Sequence, residues 1–411
     1  MRKLFGILLA LVGVVVLLLG ALAAYVQLSG IPHYPRQPVD LKVEVTPERV
    51  ARGRKLAAVS CIHCHLDPKT GAFTGRELPE MGGEMGPIFS KNITGDREKG
   101  VGAWSDGDLA YLFRTGIRRD GQFAPPWMPR FANTSDSDVA DVIAFLRSDD
   151  PWVRSAAVED HESQPNFLAK ALFRFAMKPL PYPTKPIAAP DPADKVAYGR
   201  YLVQGRYLCY ECHAPDFSVV NPLEPEKTPG YLGGGNPMLD MDLRKVHTAN
   251  ITPHPEAGIG KWTEEQFGRA LTQGLRPDGS LIRAPMARYA DLEPAEVAGL
   301  FAYLRTVPPL DVPRKPNDPP AMPASKGAEA FHRYGCNSCH GESGVGIYDL
   351  RQGARKWPGD QLIAYIRNPQ SFVPGVKMPS WDGVIREEDY EPLAEHVRKL
   401  CENAPAPTPT P

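Results

Sequence analysis

Apolar positions fall into one long unbroken run and several shorter periodic ones. After Arg2 and Lys3, no charged residue occurs from Leu4 to Leu28, and Leu8 to Val26 is rich in Leu, Val and Ala. At about 1.5 Å per residue, about 20 such residues cross a bilayer's hydrocarbon core. Residues 1–28 are therefore expected to form a transmembrane helix. Arg2 and Lys3 set its amino end in the cytoplasm and the rest of the chain outside it. Ala21-Leu22-Ala23 also fits the cleavage site of a signal peptide, but the run exceeds the roughly 7–15-residue apolar core of such signals, which favours a retained anchor. Both alternatives imply export.

Beyond residue 45 the apolar positions recur at helical spacing. Thr46 with Pro47, and Asp191 with Pro192, read as N-cap and first helical residue of two opening helices. Gly53, Gly199 and Gly327 sit inside the opening helices, where Gly costs about 1 kcal/mol; close packing against another helix is the expected reason. Closing helices follow. Ser135 and Asp138 start one that carries Val139, Val142, Ile143 and Leu146; Pro294 precedes Val297, Leu300, Phe301 and Leu304; Leu393, Val397 and Leu400 mark a third. Between them lie proline-rich stretches, with 44 Pro in 411 residues, too many for an uninterrupted helical bundle. The expected layout is a linker at 29–45, a domain at 46–150, a Pro-rich linker at 151–190, a domain at 191–310, a linker at 311–322, a domain at 323–402 and a Pro/Thr tail at 403–411.

The first two domains repeat each other. At a constant offset, Asn92-Ile93-Thr94 recurs as Asn250-Ile251-Thr252, and Gly100-Val101-Gly102-Ala103-Trp104 as Gly258-Ile259-Gly260-Lys261-Trp262. Gly116 recurs as Gly274, Asp120-Gly121 as Asp278-Gly279, Met128 as Met286, and Ala144-Phe145-Leu146-Arg147 as Ala302-Tyr303-Leu304-Arg305. The second unit carries ten more residues upstream of the match, expected around Leu232-Gly233-Gly234-Gly235.

Lys plus Arg number 47 and Asp plus Glu 48, so a nucleic-acid partner, which would call for a basic excess, is not expected. The seven cysteines carry the chemistry. Six form Cys61-Ile62-His63-Cys64-His65, Cys209-Tyr210-Glu211-Cys212-His213 and Cys336-Asn337-Ser338-Cys339-His340. Cys-x-x-Cys-His is the attachment pattern of c-type haem. Two thiols at i and i+3 share one face of a helical turn and can bond the two vinyl groups of one porphyrin, and the adjacent His is held under the iron. A redox dithiol needs no His after its second Cys, and a zinc knuckle would pair two motifs closely. Three covalent haem c groups are expected, with His65, His213 and His340 as proximal ligands. Cys401 is left over and reads as a small buried hydrophobe.

An electron-carrying haem needs a second axial ligand. Met128 in Pro125-Pro126-Trp127-Met128-Pro129, Met286 in Ala284-Pro285-Met286, and Met378 before Pro379 stand in stiff loops ahead of the closing helices. The repeat matches Met128 with Met286. No His outside the attachment motifs recurs, which sets aside His33, His63, His161, His247, His254, His332 and His396. The remaining methionines, Met81, Met85, Met177, Met238, Met241 and Met322, read as ordinary packing residues.

The haem motifs, Asn-Ile-Thr, Gly-x-Gly-x-Trp and Met-Pro loops resemble c-type cytochrome domains over residues 46–402. The first two units resemble the multihaem cytochrome subunit of periplasmic membrane-bound alcohol, aldehyde and gluconate dehydrogenases. The third is similar to a small class I cytochrome c, with Asn368-Pro369 and Phe372-Val373-Pro374-Gly375-Val376-Lys377-Met378-Pro379. The resemblance implies an all-α fold of three tandem haem domains behind a membrane helix. It also implies electron transfer between a dehydrogenase or quinol partner and a respiratory acceptor. The sequence departs from that family in its amino-terminal anchor and in the short third unit, where His396 takes the place of Phe145 and Tyr303. A multihaem peroxidase with one open iron is the enzymatic alternative, disfavoured by a Met for each haem. A structural subunit whose proline-rich linkers wrap a partner is a third.

Overall fold

The computed structural model describes residues 2–240, 243–282, 284–318, 325–346, 348–350 and 354–402. Met241, Met322, the end of the linker at 311–322 and the Pro/Thr tail from residue 403 lie outside them. Among the described residues the regular secondary structure is mostly helical. The exception to an all-α pattern is one antiparallel ribbon, β1 (Pro237–Leu239) against β2 (Lys245–His247), with Met238 opposite Val246.

Helix Arg2–Ser29 exposes most of its apolar side chains, with Val26 near its carboxyl end buried. Lys3–Ser29 is long and apolar enough to cross a membrane and lies near the amino terminus, a length and composition shared by anchors and signal segments. Its carboxyl end is held by the stretch 151–190, which runs over the first unit. Arg174 stacks on the Tyr25 ring and donates to the Tyr25 hydroxyl and to the Ser29 and Gly30 carbonyls, and Lys170 donates to the Gln27 carbonyl.

Three further bodies each close one helix over another, around cores centred on Phe145 and Ile143, on Leu202 and Leu304, and on Phe331 and Leu393. The glycines explain how. A Cβ at Gly53 would strike the Asp141 carbonyl and Phe145 Cβ; at Gly199 the Gly299 carbonyl and Tyr303 Cβ; at Gly327 the Pro392 carbonyl and His396 Cβ. The same crossing is built three times, and His396 occupies the place of Phe145 and Tyr303.

The opening helix Pro47–Ser60 starts at Thr46, whose hydroxyl accepts from the Arg49 N–H. Lys326–Arg333 starts at Ser325 in the same way. The second unit departs from expectation. Asp191 closes a turn with the Ala193 and Asp194 N–H groups, so helix Lys195–Tyr201 is capped by Asp194 instead and widens into one turn, Leu202–Arg206. The extra residues of that unit also lie elsewhere than expected. Ile93 N–H bonds the Phe73 carbonyl and Ile251 N–H the Leu232 carbonyl, while Gly75 and Gly234 N–H groups bond the carbonyls of His65 and His213. Leu232-Gly233-Gly234 therefore matches Phe73-Thr74-Gly75, and the insertion falls at 214–231, in the short turns Phe217–Val219 and Pro225–Lys227.

The closing helices are Asp136–Leu146, Pro294–Leu304 and Glu387–Glu402. Ser135 caps the first through the Asp138 N–H, but the Asp138 carboxylate does not return to Ser135. It takes a forked bond from Arg206 (2.7 and 3.0 Å) and the hydroxyl proton of Tyr201. Glu296, which matches Asp138 in the repeat, binds the same guanidinium at 3.0 Å, Tyr207 at 2.7 Å and Lys55 at 2.5 Å. Both carboxylates are buried. Asp138 has the position of a capping residue and does not cap, whereas Glu296 also accepts from the Glu293 N–H at 2.9 Å; both clamp the first two units together.

Candidate haem-binding sites

Each attachment motif forms a short helical turn at the end of its opening segment: Ile62–His65, Cys209–Cys212 and Asn337–His340. The chain then places the histidine rings alike. Nδ1 of His65 lies 2.8 Å from the Lys91 carbonyl, that of His213 2.7 Å from Ala249, and that of His340 2.8 Å from Tyr348. A carbonyl can only accept, so Nδ1 carries the proton and Nε2 keeps its lone pair for a metal. Burial holds all three imidazoles below the usual histidine range, in the neutral form that ligates.

In the first two units the residue supplying this carbonyl, Lys91 or Ala249, directly precedes Asn-Ile-Thr. Asn92 Oδ1 accepts from Thr94, and its amide donates to the Ala156 and Val158 carbonyls. Asn250 does the same with Thr252, Leu310 and Val312. The loops beside His65 and His213 are thus pinned to the stretch of chain leaving each unit. The paired glycines that follow, Gly100 with Gly102 and Gly258 with Gly260, let this loop fold back on its own carbonyls.

A cavity of about 290 Å³ is lined by Cys61, Cys64, His65, Met128 and Trp104. A second, of about 1180 Å³, is lined by Cys209, Cys212, His213, Met286 and Trp262. In each, the attachment thiols and imidazole share one space with the methionine that the repeat singled out, and the walls are largely apolar. In the third unit Cys336 and Met378 pack against one core, and the Gln370 amide holds the Met378 carbonyl at 2.7 Å. Burial pushes the thiols of Cys61, Cys209, Cys212 and Cys336 up to about 12 and that of Cys64 to about 11. A redox dithiol needs the opposite shift. Among the described residues no three His, Cys, Asp or Glu gather as a metal site, so a zinc knuckle lacks its ligands. The residues fit a covalently held porphyrin iron.

Other residues stand where the sequence did not place them. Met238, His63, His247 and His332 also line the second cavity. Met85 and Met177 pack around Phe123 and Phe173. Cys401 is buried in the third core, its thiol 3.6 Å from the Leu350 carbonyl. The sequence reading missed Arg130 and Arg288, two residues beyond Met128 and Met286. Arg130 donates to the carbonyls of Met128 and Ala124, and Arg288 to that of Ile282. They share the repeat offset, which was the available signal.

Comparison with known proteins agrees with this chemistry. Residues 50–149 match the family model described as cytochrome c, and residues 323–397 that of cytochrome c oxidase, cbb3-type, subunit III. The chain is 27% identical to the fructose dehydrogenase cytochrome subunit of Gluconobacter japonicus, over 63% of this chain and 52% of that one. It is 27% identical to the cytochrome c subunit of the quinone alcohol dehydrogenase of Gluconobacter oxydans, over 72% and 64%. It is 27% identical to the gluconate 2-dehydrogenase cytochrome c subunit of Pantoea cypripedii, over 75% and 73%. The matches span about half to three quarters of the length of these relatives. They support a multihaem c-type cytochrome of the kind that serves as a dehydrogenase's cytochrome subunit.

Proposed function

We propose that this chain is a trihaem electron carrier. Haem c groups are held at Cys61 and Cys64, at Cys209 and Cys212, and at Cys336 and Cys339. His65 with Met128, His213 with Met286, and His340 with Met378 would hold the three irons. The observation that carries this reading is the threefold recurrence of one arrangement: an imidazole fixed through Nδ1 to a backbone carbonyl, beside two thiols. Bound haem supplies one-electron exchange between ferric and ferrous iron. The protein's own residues orient the imidazoles, present thioethers on proline-stiffened loops and keep water away with apolar walls. Met ligation raises the potential relative to His.

The relatives' names support a dehydrogenase as redox partner. Electrons would pass from a dehydrogenase or quinol partner to a respiratory acceptor. The amino-terminal helix would tether the carrier in the inner membrane with its haem domains in the periplasm, raising its effective concentration near membrane partners. The test is the mass of the purified chain, which should exceed its polypeptide by three haems, together with resonance Raman spectra showing only six-coordinate low-spin iron. Fewer haems, or a persistent five-coordinate iron that turns over peroxide, overturns it. Copurification from gently solubilised membranes identifies the partner.

A further inference from the structure

Arg130 and Arg288 are equivalent in the repeat and are 9% and 3% exposed, unusual for a residue that carries a permanent charge. Each is seated by a glycine. Gly116 and Gly274 end their helices in the left-handed region, at φ 78° and 70°, and a Cβ on either would strike the guanidinium. The recurrence of Gly116 as Gly274 thus has a physical reason: it makes room for the arginine. Neither guanidinium forms a salt bridge among the described residues. Arg130 spends its donors on the strap that bears Met128, taking the carbonyls of Met128, Ala124 and Pro125. Arg288 holds the Ile282 carbonyl, and its Nη1 is buried with no hydrogen-bond partner among the described residues.

The other side of each arginine faces the next unit. Pro129, next to Arg130, lines the second cavity together with Glu211 of the second attachment motif, which lies within electrostatic reach of the Arg130 guanidinium. Thr134 donates to the Gly205 carbonyl and Asn133 to that of Pro222, closing the same seam. Arg288 abuts Gly335, 3.0 Å from where a Cβ there would sit, and lies beside Cys336 and Cys339 of the third motif. Lys377 with Asp291 (3.8 Å) and Tyr348 with Asp291 (3.4 Å) close that seam. The second cavity is walled by Pro129 and His63 of the first unit and by His332 and Arg333 of the third, so it lies between them.

We propose that Arg130 and Arg288 are the joints of the relay: each positions the methionine strap of its own unit and stands against the Cys-x-x-Cys-His peptide of the next, so that one side chain sets the environment of two haems. This rests on the trihaem reading. A fixed cation disfavours the more positive ferric state, so each arginine raises the potential of both haems it borders. The third unit, last in the order, has Ser380 in the corresponding place and steadies Met378 with the neutral Gln370 amide.

The test is a spectroelectrochemical titration of the full haem-loaded chain. Its three components are first assigned with Met128→Ala, Met286→Ala and Met378→Ala. Arg288→Leu should shift the second and third components to lower potential, leave the first in place, and weaken the Met286 share of the far-red methionine–iron band. Arg130→Leu should shift the first and second components and spare the third. Arg288→Lys keeps the charge but not the fork, and should give a smaller shift in the same two components; it serves if the Leu variant does not accumulate. A shift confined to one component, a shift shared equally by all three, or no shift overturns the proposal. A wild-type mass with fewer than three haems would instead defeat the reading beneath it.

Discussion

The first two units and the third solve one problem with different parts. All three place a proximal imidazole against a backbone carbonyl, but the carbonyl comes from 26 residues on in the first unit, 36 in the second and only 8 in the third. The first two reach it through a long loop pinned by Asn92 or Asn250; the third takes it from Tyr348, within the loop that directly follows its motif. The first two clamp the methionine strap with a buried arginine, the third with Gln370. What stays constant is the ring orientation and the crossing of two helices over a glycine. What varies is the scaffold that delivers them. The chemistry at the metal constrains a few atoms, and more than one loop can hold those atoms in place.

The largest effect that separates shared chemistry from variable scaffold is loss of an attachment thiol. Cys212→Ala should leave the second haem poorly retained, and Cys339→Ala the third, each read as the loss of one haem in the mass of the purified chain. Three haems retained in either variant would break the equivalence of the motifs. Next comes the distal side. Met378→Ala should open one iron, lower that haem's potential and admit carbon monoxide, and Met128→Ala should do the same in the first unit. If carbon monoxide binds one variant and not the other, the two straps are not equivalent and another side chain ligates in the resistant unit.

The seam between the first two units sharpens the comparison from the side of stability. Asp138→Ala would remove the forked acceptor of Arg206 and the carboxylate bonded by Tyr201, leaving Arg206 on Glu296 and Tyr201 on Ser135. Because Glu296 still compensates Arg206, the loss should be that of hydrogen bonds to a charged group, about 1.5–3 kcal/mol, rather than that of a fully unpaired buried charge. Denaturant titration followed by far-ultraviolet circular dichroism should register that loss in the first two units and leave the third unit's transition in place. A change below about 1 kcal/mol would reduce the network to the worth of a surface ion pair.

Local features of this fold were legible because their causes are local. Thr46 and Ser135 read as caps, Gly53, Gly199 and Gly327 as close helix contacts, and the three Cys-x-x-Cys-His runs as short helical turns, because each depends on residues a few positions apart. That Met128 and Met286 hold equivalent places was legible through the repeat, which carries long-range information within one sequence, and each lines a cavity with its own attachment motif. What the sequence could not show were jobs assigned by tertiary partners. Asp138 has the position of a capping residue, yet its carboxylate is claimed by Arg206 of another unit. Asp191 looks as good a cap as Asp194 until the turn between them forms. Arg130 and Arg288 repeat like the methionines, but only a packed structure reveals that a glycine seats each one and that a neighbour's motif lies behind it.

The smallest predicted effect bears on the residue where the third closing helix departs most plainly from the other two. His396 stands over Gly327 where the other units carry Phe145 and Tyr303, and its ring packs edge-on against Phe331 at 5.3 Å. Burial first, then His332, holds its pKa below the ordinary 6.5, against the pull of Glu342; Lys399 adds to the lowering. The folded state thus favours the neutral ring. As pH falls through 6.5 the unfolded chain takes up a proton that the folded unit resists, so the native third unit loses stability there. Above that pH the ring is neutral in both states and the penalty vanishes. His396→Phe restores the residue type of the first unit and removes the titration. Because the ring is partly exposed and screened, the gain should be only about a few tenths of a kcal/mol, present at pH 5 and absent at pH 8. The measurement is the denaturation midpoint of the third unit in both proteins at those two pH values. Equal midpoints at pH 5 would mean that His396 is tolerated in its charged form, and that the crossing over Gly327 is looser than its counterparts over Gly53 and Gly199.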